Sequence, residues 1–246
     1  MLKTTGPRKV FIAMPMHGAM IHVDTHRAIM DDMVTLWQSG CFTVTQRTWG
    51  HADIYRLRAQ HVAQFLADEE ATDFVSIDSD VSWTTPGLPR LLSHDVDIVA
   101  GLYPKRCYPL DFPFNSSLDD GEPLTGDPER RLVELRGVPF GFIRIRRAVL
   151  EAMCEHYAPT LLAKDDDVPQ GAVVRLFDPY WSRDRDGNPH AWAEDYSFCR
   201  RATDMGFRVW GDLGIAMGHA GMHLFEGNIS DWLEQKSAEH LQEKAA

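Results

Sequence analysis

The chain is poor in cysteine, in long apolar runs and in positive charge, and each shortage excludes a class of protein. Its four cysteines lie far apart with no CxxC pair, so neither a zinc ribbon nor a disulfide framework is indicated. No apolar run approaches the ~20 residues that a membrane helix needs. Lys and Arg number 25 against 36 Asp and Glu, and the net charge of −11 argues against broad electrostatic binding to nucleic acid.

The remaining composition is that of an ordinary globular protein. Apolar residues make up 44% and charged residues 25% of the 246 residues, which is enough for one generous α/β domain. Residues 1–7 are followed by too brief an apolar segment for a signal peptide. We therefore expect a cytoplasmic protein without a transmembrane segment.

The stretch 72–80 is the most informative part of the chain. An apolar run at 74–77, typical of a buried strand, ends abruptly in Asp78 and Asp80, with one residue between them. In open α/β sheets, ligands bind beyond the carboxyl ends of the strands. Two carboxylates there suit a hard divalent cation and the phosphates that it neutralises. Asp is also common where strands stop, so a plain turn is the alternative interpretation.

Strand and helix patterns alternate through the first hundred residues and predict a doubly wound, mostly parallel sheet. The predicted strands are 9–14, 42–45, 74–77 and 97–102, and the predicted helices are 24–39, 53–68 and 86–94. Residues 104–130 are rich in Pro, Asp, Gly and Ser and predict an irregular insertion.

The second half of the chain is less regular. Its predicted strands are 131–135, 138–145, 173–177 and 207–210, and its predicted helices are 147–156, 193–205 and one from 229. Residues 164–171 read as an acidic surface loop, and 178–191 as a long loop of the kind that often binds ligands.

Several segments, taken in order, resemble those of nucleotide-sugar-dependent glycosyltransferases with the GT-A fold, particularly the family-two-like members of phage and bacterial type. The segments are 74–81, 97–105, 193–202, 206–210 and 214–221. The resemblance implies a GT-A-like α/β fold, with a Rossmann-related, mostly parallel central sheet flanked by helices and an irregular insertion on the acceptor side. For a phage-encoded member, the compartment is the host cytoplasm.

The same resemblance implies a single GT-A-like domain over residues 1–246. Its nucleotide-sugar-binding half spans about 9–102, and its acceptor and catalytic half about 103–228. Residues 229–246 form a C-terminal helix and tail. The oligomeric state is not indicated.

The resemblance also implies a metal site. Asp80 is the expected direct ligand, Asp78 contacts the ribose or the metal through water, and His219 is a further ligand. Oxygen ligands with one imidazole suit Mn²⁺, with Mg²⁺ as the alternative. A divalent metal on the diphosphate stabilises the negative charge that develops there when the sugar leaves. His219 is one of eleven histidines, so a structural role is the competing interpretation.

Two acidic residues open the predicted helix at 193–205. The resemblance implies that Asp195 is the general base that takes the proton from the acceptor hydroxyl, with Glu194 as the alternate. Acids at this position also complement a helix dipole, whatever else they do.

Further residues are predicted to bind the donor. Pro15, Met16 and His17, at the end of the first strand, are placed to line the nucleoside pocket. Arg58 would bind the diphosphate or uracil, or is a plain surface arginine, since the residue after it is Ala59 where the family often has Asn. The full set predicted to bind the nucleotide sugar is Pro15, Met16, His17, Arg58, Asp78, Ser79 and Lys105. Arg106, next to Lys105, is a second candidate for neutralising phosphate.

The function that these expectations describe is metal-dependent transfer of a sugar from a nucleotide sugar, with a UDP-sugar favoured, to a hydroxyl acceptor. Inversion at the anomeric carbon is favoured over retention, which the sequence leaves open. The acceptor is a glycan, a small molecule or a modified DNA base. One alternative is transfer to hydroxymethylated phage DNA, and another is a sugar nucleotidyltransferase. A nucleotidyltransferase would need a Gly-rich basic loop after the first strand to hold the triphosphate, and residues 15–18 lack that character. The third alternative is a non-catalytic nucleotide-sugar-binding module, and a test of donor hydrolysis would distinguish it from an enzyme.

Overall fold

The chain folds around a large central sheet. The computed structural model describes residues 8–114, 125–183, 186–221 and 223–245, with the backbone alone for His17 and residues 241–245. The strands in these ranges are β1 (Lys9–Met16), β2 (Phe42–Trp49), β3 (Asp73–Ile77), β4 (Val81–Trp83), β5 (Ile98–Gly101), β6 (Gly126–Asp127), β7 (Leu132–Leu135), β8 (Phe142–Arg146), β9 (Leu162–Lys164), β10 (Ala172–Val174), β11 (Trp181–Arg183), β12 (Pro189–Ala191), β13 (Val209–Asp212), β14 (Met217–Ala220) and β15 (Leu224–Gly227).

Helices cover much of the sheet. Those in the described ranges are α1 (Val23–Gln38), α2 (Ile54–Ala67), α3 (Gly87–Ser93), α4 (Arg147–Leu161), α5 (Glu194–Asp204) and α6 (Ile229–Ala245). None of these helices combines the length and apolar character needed to cross a membrane.

The central sheet has eight strands in the order β2-β1-β3-β8-β5-β13-β7-β6. Within the part of the chain described, β7 and β8 run against the other strands, as their antiparallel pairing with every neighbour requires. The predicted α/β class and mostly parallel sheet are therefore confirmed. Strand β8 lies between β3 and β5, so the two predicted halves of the domain share one sheet.

Both faces of the sheet are buried under helices. Phe11 and Ala13 of β1 pack into a core with α2, α4 and α5, while Val10 and Ile12 face a second core with α1 and α3. This alternation follows from the two-residue period of a strand. It explains why β3 lacks the apolar–polar alternation of a half-exposed strand, since each of its residues is buried.

The ends of the first helices confirm their sequence signals. The Asp53 side chain accepts a hydrogen bond from the Arg56 amide at 3.2 Å, which caps α2. Gly40 follows α1 with φ of +80°, the left-handed conformation that favours glycine after a helix.

Other segments correct the expectations. Residues 178–191, predicted to be a loop, contain the antiparallel pair β11 and β12, although residues 184–185 lie outside the description. Residues 214–221 contain β14, which pairs with β4 and β15 in a separate three-stranded sheet. The predicted strand 138–145 begins only at Phe142. Of the predicted insertion, residues 115–124 lie outside the described ranges.

The acidic loop 164–171 is also less exposed than expected. Asp165 is buried, and its two carboxylate oxygens accept hydrogen bonds from the Arg56 guanidinium at 2.7 Å. Nε2 of Gln60 lies 3.1 Å from both oxygens and donates to them as well. The hydrogen bond from Arg56 is the main cause that holds the pKa of Asp165 well below its usual range. Because Arg56 and Gln60 lie on α2, Asp165 fixes the loop to the helix that carries Arg58.

We expect Asp165→Ala to lower the free energy of unfolding by about 2 kcal/mol, since buried Gln60 loses its acceptor and Arg56 an ion-pair partner. Such a loss lowers the melting temperature of a chain of this size by roughly 4–8 °C. Urea denaturation followed by circular dichroism measures it. The matched control is Asp166→Ala, because Asp166 is exposed and pairs with exposed Lys164. Equal stability of the two variants would contradict the role given to Asp165.

Candidate active site

The candidate site lies at the carboxyl edge of the parallel strands. Strands β1 and β3 run parallel with Ala13 beside Ser76, so Pro15, near the end of β1, lies level with Asp78. Strand β5 ends at the same edge, and Tyr103 follows it. Side chains that leave these strands therefore meet at the point where open α/β sheets bind ligands.

Arg58 lies between two other predicted site residues, Asp78 and Glu194. It is 4% exposed, and its guanidinium donates to Ser76 Oγ at 2.9 Å and to the two Asp78 oxygens at 3.1 and 3.3 Å. Its Nε lies 3.9 Å from Glu194 Oε1, beyond hydrogen-bond distance, and has no hydrogen-bond partner among the described residues. Burial acts to lower the pKa of Arg58, but the charges of Asp78 and Glu194 outweigh it and raise the value. A buried Arg58 thus places positive charge beside two separated carboxylates.

Asp80 lies against the β14 strand. Its carbonyl accepts a hydrogen bond from the Ala220 amide at 2.8 Å, and Val81, the next residue, pairs with His219. These contacts bring His219 Nε2 to 3.9 Å from Asp80 Oδ1. The other carboxylate oxygen of Asp80 forms an ion pair with Arg106.

The hydrogen bond of His219 fixes its tautomer. Nδ1 lies 3.0 Å from the Pro104 carbonyl oxygen, which can only accept, so Nδ1 carries the proton. Burial and the charge of Arg106 lower the pKa of His219, which keeps the ring neutral. Nε2, which lies 3.9 Å from Asp80 Oδ1, consequently carries the lone pair, and metal-binding histidines usually have such a partner on their other ring nitrogen.

A divalent cation fits this pair in part. In the described ranges, no group of three His, Cys, Asp or Glu side chains is placed to hold a metal ion. Asp80 and His219 supply one oxygen and one nitrogen, while Asp78 is engaged by Arg58. Mg²⁺ in phosphate-binding sites commonly takes one or two carboxylates and completes its shell with phosphate oxygens and water. The donor set therefore suits a cation that is bound together with a phosphate ligand.

The two acids of α5 lie beside this network, in the first turn of the helix. Asp195 is half-buried, and burial followed by the negative charge of Glu194 raises its pKa to about 7. The Tyr196 amide donates to Asp195 Oδ1 at 2.8 Å, and this bond and the charge of Arg58 partly oppose the rise. A carboxyl group that titrates near neutral pH can both accept and release a proton there.

Tyr103 is a residue of this site that the sequence interpretation left without a role. It is buried, and its hydroxyl accepts the Gly141 amide at 3.2 Å while its ring packs edge-to-face on His219 at 5.0 Å. Burial and the charges of Asp78 and Asp195 raise its pKa well above the ordinary value, so the phenol stays neutral. A Cβ at Gly141 would come within 2.6 Å of the Tyr103 hydroxyl and 2.9 Å of Asp78 Oδ2, so any larger residue there would displace one of these two side chains.

A cleft of about 290 Å³ opens in front of these groups. Its lining residues are Pro15, Met16, His51, Ala52, Ile54, Leu57, Arg58, Asp78, Ser79, Asp80 and Glu194. Predicted site residues from four elements therefore meet in one cleft, and His51 and Ala52 are additions that no sequence signal singled out. The side chain of His17 lies outside the description.

Lys105 is placed differently from the other predicted donor-binding residues. Its Nζ pairs with Asp111 at 2.6 Å, and it does not line the cleft. Its neighbour Arg106 is the residue that reaches Asp80. Contact of Lys105 with a phosphate stays a prediction.

A larger cleft, of about 510 Å³, lies between α1, β4 and β14 and contains none of the predicted site residues. Its charged lining consists of Asp24, Asp31, Glu226 and Arg27, of which Asp24 and Arg27 pair at 2.7 Å. This excess of carboxylates disfavours phosphate ligands there.

Comparisons with known proteins give distant structural likenesses. A197 from STIV is 16% identical, with a TM-score of 0.48 over 87% of this chain and 86% of that chain. HddC from Yersinia pseudotuberculosis is 10% identical, with a TM-score of 0.32 over 58% and 79%. A glycosyltransferase involved in the glycosylation of the major capsid of PBCV-1 is 11% identical, with a TM-score of 0.27 over 57% and 62%. No protein-family model matches the chain, and no curated protein matches it either.

These likenesses lie at low identity, and each of the three TM-scores is below 0.5. They establish neither a family nor an activity for this chain. The functional conclusion therefore depends on the geometry of the site.

Proposed function

We propose that the protein is a metal-dependent glycosyltransferase of GT-A type, which moves a sugar from a nucleotide sugar to a hydroxyl acceptor. The observation that carries the proposal is the meeting of Arg58, Asp78, Asp80 and Glu194 in one cleft. His219 does not line the cleft, but its Nε2 lies 3.9 Å from Asp80 Oδ1. These residues come from four segments of the chain: α2, the stretch after β3, the first turn of α5, and β14. A set of unrelated surface residues would not converge in this way.

Asp195 is assigned as the general base of the transfer. Its pKa of about 7 lets it remove the proton from an acceptor hydroxyl at neutral pH. The acceptor oxygen then attacks the anomeric carbon from the side opposite the diphosphate, the bond from that carbon to the phosphate oxygen breaks, and the configuration inverts. The departing electron pair stays on the nucleoside diphosphate.

The diphosphate is assigned to the other side of the cleft. Asp80 and His219 would hold a divalent cation, with Mn²⁺ favoured over Mg²⁺, which supplies positive charge to the leaving phosphate. Asp78, held in place by Arg58, is assigned to the ribose or to a water on the cation. Pro15 and Met16 are assigned to the nucleoside, with a UDP-sugar as the favoured donor.

The acceptor is proposed to be a hydroxyl of a glycan or of a small molecule. The net charge of −11 counts against the alternative of a modified DNA base. A sugar nucleotidyltransferase remains the second candidate because it would use the same carboxylates, but it acts on a nucleoside triphosphate.

Thermal unfolding with a panel of nucleotide sugars, with and without Mn²⁺, tests this proposal. A ligand that binds only the native state adds about 2.7 kcal/mol to the free energy of unfolding when its concentration is a hundred times Kd. The melting temperature rises as a result. We expect one UDP-sugar to stabilise the protein and to require Mn²⁺ for it. Stabilisation by triphosphates instead would favour the nucleotidyltransferase. Binding without hydrolysis or transfer of the donor would favour a non-catalytic module.

A further inference from the structure

The contact between Asp80 and Arg106 has no place in the transfer proposed above. The carboxylate assigned to the cation is paired with a guanidinium, and both side chains are half-exposed, at 38% and 43%. His219 Nε2 faces the same carboxylate at 3.9 Å. A positive group, Arg106, is therefore in direct contact with one of the two candidate ligands.

The backbone around Arg106 is fixed. On one side, the Lys105 amide donates to the Asp111 carbonyl at 2.6 Å, and the two side chains also pair at 2.6 Å. On the other side, the ring of Tyr108 packs against Phe225 of β15 at 5.0 Å. The segment that carries Arg106 is thus held to the β14–β15 hairpin, and the long side chain is the part free to change its direction.

The stem of Arg106 lies over the glycine that follows β14. A Cβ at Gly221 would come within 3.2 Å of Arg106 Cδ. This close approach lets the guanidinium lie across the hairpin and reach Asp80. Rotation about the side-chain bonds would move the same guanidinium toward the cleft without any movement of the backbone.

Two cations cannot both be bound closely at Asp80 without repulsion. A divalent ion held by Asp80 and His219 would lie within a few ångströms of the guanidinium, where like charges repel strongly in the partly desolvated site. A diphosphate bound with the ion would bring new acceptors for the guanidinium. Arginine suits such an exchange because its planar fork matches both carboxylate and phosphate oxygens.

We propose that Arg106 is an exchangeable counter-ion: it neutralises Asp80 in the metal-free protein, is released when the cation binds, and then donates to a phosphate oxygen of the ligand. The inference rests on the proposed function, since it takes Asp80 as a metal ligand. It makes Arg106 a competitor of the cation and a binding residue for the diphosphate. The two roles predict effects of opposite sign.

Calorimetric titration of the full chain with Mn²⁺ alone, and with pyrophosphate in saturating Mn²⁺, tests both roles. Arg106→Ala is expected to bind Mn²⁺ alone about five-fold more tightly, because an exposed ion pair no longer competes. The same variant is expected to bind pyrophosphate about ten-fold more weakly, because a charged hydrogen bond is lost. Arg106→Lys keeps the charge, so its Mn²⁺ affinity should stay near that of the wild type.

The matched control is Arg146→Ala. Arg146 pairs with exposed Asp95 and is in register with Asp73, the first residue of β3, so it lies at the opposite edge of the sheet. Mn²⁺ affinity of Arg106→Ala equal to that of this control would overturn the counter-ion role. Unchanged pyrophosphate affinity would overturn the phosphate role.

Asp80→Ala separates failure of this inference from failure of the proposed function. If Asp80→Ala abolishes Mn²⁺ binding and Arg106→Ala leaves it unchanged, the inference about Arg106 alone is wrong. If Mn²⁺ binds equally well without the Asp80 carboxylate, or does not bind the wild type or Arg106→Ala, the metal assignment fails and the inference with it.

Discussion

Asparagine in place of Asp195 is expected to lower kcat by about a thousand-fold, within the range typical of a lost general base. The amide keeps the size of the carboxylate but cannot accept the proton of the acceptor hydroxyl. Donor affinity should change by no more than about two-fold, because the lost interaction acts in the transition state. Steady-state kinetics of transfer, with donor affinity measured by titration, check the two expectations separately.

The pH dependence gives a second readout of the same residue. With the pKa of Asp195 raised to about 7, the base is protonated and inactive in acid. The transfer rate should therefore rise about ten-fold per pH unit below 7 and level off above it. Glu194→Gln removes the neighbouring negative charge that helps raise this pKa, so the acid limb should move to lower pH while transfer is retained.

Asp204→Asn is the matched control, since it makes the same change at the other end of α5. Asp204 pairs with Arg200 at 2.9 Å. Retained transfer in Asp195→Asn, together with lost transfer in Glu194→Gln, would move the base to Glu194. Equal rates for Asp195→Asn and Asp204→Asn would remove Asp195 from the reaction.

The sequence predicted the elements whose local pattern and tertiary environment agree. Strand β3 has apolar residues on both faces because both faces are covered, and the lack of apolar–polar alternation in its sequence indicates this directly. Strand β14 was missed because its sequence, with Gly218 and His219 at its centre, has no strand preference of its own. Its conformation comes from pairing with β4 and β15, which no local pattern encodes. The pair of β11 and β12 was missed for the same reason.

The candidate site shows the same division. Asp78 was predicted because it directly follows a strand, and Tyr103 comes two residues after the end of another strand at the same edge, so that signal was available and unused. The partners of Arg58 could not be predicted, since Ser76 and Asp78 reach it only through the packing of α2 on the sheet. Nor could the sequence tell Lys105 from its neighbour Arg106, because one residue step decides which side chain faces Asp80.

Removal of either expected metal ligand should abolish metal-dependent transfer. Asp80→Ala and His219→Ala each delete one of the two candidate ligand atoms that lie 3.9 Å apart. We expect kcat/KM to fall by about a thousand-fold or more, because a metal that acts as a Lewis acid stabilises the transition state by several kcal/mol. The fold should survive because Asp80 is half-exposed and its carbonyl, not its side chain, holds β14. Activity against Mn²⁺ concentration, with circular dichroism as a check on folding, measures the effect.

His223→Ala is the control for the histidine variant. His223 lies on the same hairpin and contacts Tyr108 and Phe225, so its removal tests whether any loss of a ring in this region impairs transfer. We expect this variant to keep the Mn²⁺ dependence of the wild type, because its ring packs on aromatic neighbours and not against Asp80. Full activity of Asp80→Ala in EDTA would exclude a metal at this carboxylate. Loss of activity in His223→Ala equal to that in His219→Ala would show that His219 acts through the packing of the hairpin, because only ring contacts are common to both histidines.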